Sequence, residues 1–266
     1  MENKPYMIMI ASQKGGVGKT TIAINLAISL IYQKYSVLLV DGDIFTSSVS
    51  EQLGIISEGN GYKEAIEGDA KVEDTVFAYE PINLRIIPGS PSKEHFEPNP
   101  EKLERFYKQI SKMEFDFIIV DNPPGLFNNM LARYFNEVAI LTTADSTAAV
   151  SSSKLAAYCD KYKIKHRLII NRVGYSKFEL NVEQVEKLFG DIAFAEIPED
   201  MIISESLSKH KPAYLIDRNS AFSMAIDELS RAYTLRAGEP QPAFPFESDR
   251  NSKGGFFSRL MGWGSR

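Results

Sequence analysis

Residues 14–21 read Lys-Gly-Gly-Val-Gly-Lys-Thr-Thr, between an apolar run at 6–11 and a long apolar-rich stretch. Glycines at 15, 16 and 18 let the backbone wrap a small anion closely and aim successive N–H groups at it. A helix beginning at about Thr20 adds the positive end of its dipole at the same point. Lys19 brings a mobile positive charge and Thr20 a hydroxyl. Strand, glycine-rich loop, Lys-Thr and helix in that order form a phosphate-binding loop. Its cradle is Gly15, Gly16, Val17, Gly18, Lys19, Thr20 and Thr21, with Lys19 for the β and γ phosphates and Thr20 for Mg²⁺. ATP with Mg²⁺ is therefore the expected ligand pair. The loop differs from a simple one in carrying Lys14 as well.

The rest of the chain repeats the alternation that begins at this loop. Apolar, β-rich runs at 6–11, 36–41, 83–87, 115–121, 138–142, 166–171 and 192–197 read as strands. Most are continuous rather than alternating, as in strands covered on both faces. Helical stretches lie between and after them, at 20–33, 101–113, 147–162, 182–189, 202–209 and 221–235. The expected fold is α/β, a mostly parallel twisted sheet of about seven or eight strands with helices on both faces. In such sheets ligands bind at the carboxyl ends of the strands. Asp43 and Asp121 fall at two of those ends. A buried strand seldom ends in a carboxylate that lacks a partner. Beside Lys19 and a Mg²⁺ ion each would have one, which makes Asp121, with Thr20, a candidate metal ligand.

Composition narrows the class. The 266 residues are 44% hydrophobic and 24% charged, with a net charge of -5, an ordinary globular balance. The acidic excess argues against a large nucleic-acid surface. One cysteine, Cys159, rules out an intrachain disulfide and a two-cysteine metal site, and points to a reducing cytoplasm. Cys159 itself reads as a small buried apolar residue. No 18-residue apolar run is present, so no membrane-spanning helix is expected. After Leu235 periodicity stops. Residues 1–236 read as the ATPase domain, 237–254 as a Pro- and Gly-rich flexible linker, and 255–266 as an amphipathic helix. Wound at about 100° per residue, Phe256, Phe257, Leu260, Met261 and Trp263 share one half of that helix and Arg259 and Arg266 the other.

Lys14-Gly-Gly-Val-Gly-Lys-Thr-Thr21 resembles the deviant Walker A loop of the MinD/ParA family of ATPases. Val40-Asp-Gly-Asp43 resembles that family's VDxD. Phe117-Ile-Ile-Val-Asp-Asn-Pro-Pro-Gly125 resembles its Walker B and switch II stretch, with Gly125 as a hinge. Ile169-Ile-Asn-Arg172 resembles the strand leading to its adenine site, and Ile197-Pro-Glu-Asp200 the matching loop of the MinD subgroup. The resemblance implies that Asn171, Arg172, Pro198, Glu199 and Asp200 contact the nucleotide. It implies that Asp43 orients or polarises the attacking water and joins Thr20 and Asp121 as a metal residue, with Asp41 structural or switch-linked. It further implies that Lys14 reaches the nucleotide of a second subunit, which makes hydrolysis slow until a partner or membrane stimulates it. The final segment is similar to the MinD membrane-targeting helix.

The implied protein is a cytoplasmic ATPase that forms an ATP-dependent homodimer. It would dock on the anionic inner face of the membrane and position or recruit a further protein, as in division-site placement. Two stretches depart from the MinD pattern: Ile44-Phe-Thr-Ser-Ser48, where an Arg-Asn pair is usual, and Ala144 to Ser153, where a Glu and a Ser-Ser-Val-Arg-Asp run are usual. Two alternatives stand on sequence alone, a ParA-like DNA-partition ATPase and a P-loop biosynthetic enzyme. The acidic charge and the aromatic tail weigh against DNA as a partner.

Overall fold

The computed structural model describes residues 4–43, 47–55, 60–80, 82–90, 99–123, 129–190 and 194–238. Gly125, residues 44–46, most of the proposed linker and the whole proposed C-terminal helix lie outside them. Eight strands form one sheet: β1 Tyr6–Ala11, β2 Val37–Asp41, β3 Phe77–Tyr79, β4 Leu84–Ile87, β5 Phe117–Asp121, β6 Glu137–Thr143, β7 His166–Val173 and β8 Phe194–Pro198. Their order is β3-β4-β2-β5-β1-β6-β7-β8. Every neighbouring pair is parallel except β3 and β4. The chain moves from β1 to one side for β2 to β5, then to the other for β6 to β8, so the switch point lies beside β1.

The unbroken apolar runs follow from burial on both faces. In β1, Met7, Met9 and Ala11 join one core with Leu38, Val40, Ile118 and Val120. Tyr6, Ile8 and Ile10 join the other with Leu39, Ile119, Ala139 and Leu141. The first core is capped by α3 Tyr62–Glu67, α4 Pro100–Ile110 and α6 Ser146–Lys161, the second by α1 Lys19–Tyr32 and α10 Ala221–Ala237. α4 starts as its sequence dictates. Pro100 follows Asn99, whose side-chain oxygen accepts the N–H of Glu101 at 2.8 Å. Leu103, Phe106, Tyr107 and Ile110 then line its buried face. Cys159 is fully buried in the first core, and burial pushes its thiol up to about 12.

α1 departs from expectation. Its pattern reads as an amphipathic helix, yet every residue from Thr21 to Leu30 is buried. It lies between the sheet and α10, and its polar residues are spent inside. Asn25 accepts the N–H of Tyr214 (2.9 Å), and Ser29 donates to Asp227 (2.6 Å). Four short helices, α2 Ser48–Leu53, α3, α5 Asn129–Ala132 and α9 Ala213–Ile216, and the three-residue β3 are additions to the elements read from sequence. α7 Val182–Phe189 and α8 Ile202–Lys209 match their expected bounds.

At the amino ends of the central strands sits a closed charge cluster. Glu137 is wholly buried. Its carboxylate accepts from Arg167 Nε (3.0 Å), an Arg236 guanidinium nitrogen (2.7 Å) and the Tyr6 hydroxyl (3.2 Å). Arg236 belongs to the last turn of α10, so this cluster pins that helix to the sheet.

Candidate functional site

The phosphate loop leaves β1 and enters α1 through Gly18, whose φ of 97° lies in the left-handed region. A Cβ there would stand 2.3 Å from Asn171 Nδ2, so position 18 excludes any side chain twice over. Around Gly15 and Gly16 the space is open: added Cβ atoms would meet nothing within 4 Å. No side chain caps the N-terminus of the 14-residue α1. Its first-turn N–H groups and dipole are thus directed at the same open concavity. Val17 is buried in the core below and fixes the loop from beneath.

Strand register brings the charged groups together. Asp121 pairs in register with Asp41 on one side and with Ile10 on the other. The Thr20 hydroxyl donates to Asp121 Oδ2 at 2.5 Å. The other oxygen, Oδ1, is buried and has no hydrogen-bond partner. Burial pushes the Asp121 carboxyl up to about 6, against the pull of Thr20 and Lys19, while the charge of Asp43 adds to the rise. Lys19 is held below the ordinary lysine range by burial, with Asp121 and Asp43 drawing it back. Lys19, Thr20, Asp43 and Asp121 therefore form one electrostatic unit. An orphaned buried carboxylate oxygen beside a threonine hydroxyl suits a hard divalent cation, and the open glycine cradle suits a phosphate chain.

Asp41 is fully buried, and burial, then the charge of Asp121, push it up to about 8. Lys14 is apart from this unit. Its ammonium pairs with Asp145 Oδ1 at 3.6 Å, both side chains being about half exposed. Asp145 also caps α6, accepting the N–H of Ala148 at 2.9 Å. The Ala144 to Ser153 stretch, noted for departing from the MinD pattern, thus supplies the counter-ion of Lys14. The Thr21 hydroxyl donates to Gln52 of α2 (3.1 Å).

The residues that the resemblance places at the nucleotide also have partners within the chain. Asn171 lies beneath the phosphate loop, its amide donating to the Val17 carbonyl at 2.8 Å. Arg172 and Glu199 form an ion pair (2.8 Å) at the carboxyl ends of β7 and β8, and the Arg172 guanidinium stacks over Tyr175 at 4.3 Å. Pro198 pairs with Val173. The Asp200 carboxylate accepts the N–H of Ile202 (3.0 Å) and of Phe222 (3.1 Å), linking the starts of α8 and α10. Sequence reasoning missed Asp145 as the partner of Lys14 and Gln52 as the partner of Thr21. An Asp-Ser-Thr start to a helix was visible; its pairing with a loop more than a hundred residues earlier was not.

Residues 8–213 match the model of the CobQ/CobB/MinD/ParA nucleotide binding domain. The fold superposes on the septum site-determining protein MinD of Pyrococcus horikoshii complexed with Mg-ADP, with a TM-score of 0.80 and 30% identity over 88% of this chain and 98% of that one. It also superposes on the cell division ATPase MinD of Pyrococcus furiosus (TM-score 0.79, 28% identity, 86% and 98% of the two chains). By sequence, an uncharacterized ATP-binding protein of Methanocaldococcus jannaschii is 29% identical over 84% of this chain and 85% of its own. MinD of Escherichia coli K12 is 25% identical over 96% and 98%. With the phosphate loop, the Thr20–Asp121 pair and the sheet order already in place, the chain belongs to the CobQ/CobB/MinD/ParA nucleotide-binding family, as an ATPase of the MinD type.

Proposed function

We propose that the protein binds ATP with Mg²⁺, dimerises in that state and associates reversibly with the anionic inner membrane surface, where it recruits or positions a partner protein. The observation that carries the nucleotide part of the reading is the meeting of Lys19, Thr20, Asp43 and Asp121 at the carboxyl edge of the sheet, with a buried carboxylate oxygen that has no hydrogen-bond partner among the described residues. Mg²⁺ bound by Thr20 and Asp121 would neutralise charge on the β and γ phosphoryl oxygens. Lys19 binds those oxygens from the loop. Asp43 orients the water that attacks the γ phosphorus, opposite the bond to the β-phosphate oxygen. Lys14 supports the same step on a second subunit, adding a cation where charge develops. To do so it leaves Asp145, and an exposed pair of this kind costs at most about 1 kcal/mol to break.

The C-terminal segment supplies the membrane contact through Phe256, Phe257, Leu260, Met261 and Trp263. One such short tail binds weakly, and two on a dimer gain about 10²–10⁴ in avidity. Membrane residence then follows nucleotide state. Co-sedimentation of the full chain with anionic liposomes, with ATP and with ADP, tests this. Wild type should pellet more with ATP. Leu260→Glu should stay in solution with either nucleotide while still binding ATP. Lys14→Ala should bind ATP but lose the concentration dependence of its turnover. Equal pelleting of wild type and Leu260→Glu with ATP would remove the tail from the reading.

A further inference from the structure

The backbone at Asp43 and the first turn of α2 are tied to a single buried carboxyl side chain. Asp41 is the last residue of β2. Its Oδ1 accepts the backbone N–H of Asp43 at 3.2 Å, and its Oδ2 accepts the backbone N–H of Val49, in the first turn of α2, at 3.0 Å. The first contact alone would be an ordinary strand-end turn, in which an aspartate bonds two residues on. The second has no such local explanation. It reaches eight residues ahead and holds the first turn of α2 against the end of β2.

A third element closes on the same clamp. Beyond β4, a Cβ at Gly89 would lie 2.8 Å from Ser47 Oγ, 2.9 Å from Ser47 Cα and 3.0 Å from Asp41 Oδ2. The Gly89 backbone therefore packs directly on Ser47 and Asp41. Ser47, at the exit of the loop, is itself held at a φ of 44°.

We propose that Asp41 is a positioning residue for hydrolysis: by tying the N–H groups of Asp43 and Val49 to one buried side chain, it sets where the Asp43 carboxylate stands relative to Lys19 and Asp121. The proposal rests on the role assigned to Asp43 above. Displacement of a reacting group by about 1 Å can cost about a hundredfold in rate without loss of binding. The clamp thus acts on turnover and leaves nucleotide affinity, which belongs to the phosphate loop, unchanged.

The test uses the full chain and three variants, Asp41→Asn, Gly89→Ala and Asp43→Ala. Asparagine keeps the size but has one acceptor oxygen for two N–H donors. Gly89→Ala presses on the clamp with both carboxylates intact. The readouts are fluorescence titration with a labelled ADP and Mg²⁺, kcat for ATP at saturation, and thermal unfolding. Asp41→Asn is expected to lose at least tenfold in kcat with affinity within threefold and an unchanged unfolding midpoint. Gly89→Ala should show the same split, more weakly. Wild-type kcat in Asp41→Asn alongside an inactive Asp43→Ala would overturn the positioning role and leave the reading of Asp43 standing. Wild-type turnover in Asp43→Ala would overturn that reading, and the proposal with it. A parallel loss of kcat, affinity and stability in Asp41→Asn would mark the clamp as part of the fold alone. Should Asp41→Asn fail to fold, Gly89→Ala decides, and wild-type kcat there overturns the proposal.

Discussion

Glu137 and Asp121 are buried acidic residues at opposite ends of the central strands, and their surroundings treat them in opposite ways. At the amino ends, Glu137 has Arg167, Arg236 and Tyr6 on its two oxygens. At the carboxyl ends, Asp121 has Thr20 on one oxygen and nothing on the other. The first cluster is closed and does structural work. The second leaves one carboxylate oxygen without a hydrogen-bond partner among the described residues, and burial drives Asp121 up and Lys19 down. A site of this kind stores its missing partner as an electrostatic deficit, which a phosphate chain with its cation can fill.

The contrast can be broken most forcefully at the closed end. Glu137→Ala leaves two guanidinium groups facing a buried void, and breaking such a pair costs about 3–5 kcal/mol. Chemical denaturation should show that loss, while ATP affinity of the folded fraction stays unchanged. The next largest effect belongs to the open end. Lys19→Ala should weaken ATP binding or turnover by about 10²–10³-fold, the scale for removing one charge-stabilising group from a reacting site. It should leave stability nearly untouched, because no closed pair is broken. Calorimetry with ATP and Mg²⁺ giving wild-type values would remove the site.

A third effect, of intermediate size, is one of pH. The Asp121 carboxyl titrates at about 6 in the fold, above its ordinary value of 3.8. The stability it lends the ligand-free protein is complete below the unfolded value and is lost as pH rises through about 6. Cation binding needs the carboxylate and moves the other way, weakening by about tenfold per unit below pH 6. Titration of nucleotide with Mg²⁺ at pH 5 and pH 7 should show this slope, and Asp121→Asn should flatten it. The smallest expected effect is at Lys14. Asp145→Asn keeps the cap of α6, since asparagine caps as well as aspartate, but releases Lys14. An exposed pair is worth at most about 1 kcal/mol, so turnover at a fixed protein concentration should rise by no more than about fivefold. A fall in turnover would mean that Asp145 helps the reaction rather than restraining Lys14.

The features legible in sequence were those carried by neighbours along the chain. Strands covered on both faces announce themselves as runs such as Phe117–Asp121, and the loop from Lys14 to Thr21 spells its own chemistry. The placement of Asp121 beside the loop also follows, since both end parallel strands of one sheet. What escaped depends on distant residues or on short elements. β3 has three residues and α5 and α9 four each, too few to show a period. The burial of α1 on all sides depends on α10, some two hundred residues away in the Ser29–Asp227 contact. The hydrogen bond from the Asn171 amide to the Val17 carbonyl spans 154 positions and is not readable from the motif that contains Asn171.

The position of β1 in the middle of the sheet bears on how the protein is made. Its partner strand β5 begins at Phe117, which pairs with Tyr6, and the Thr20 hydroxyl meets its acceptor 101 residues later. A chain still leaving the ribosome carries the whole glycine-rich loop early, but neither the carboxylate beneath it nor the strand that holds it level. The contacts around the loop are thus incomplete until Asp121 has emerged, and those of β6, β7 and Asn171 follow later still. Contacts of such long sequence range are slow to form. The Thr20–Asp121 contact therefore exists only in a chain whose synthesis has passed Asp121.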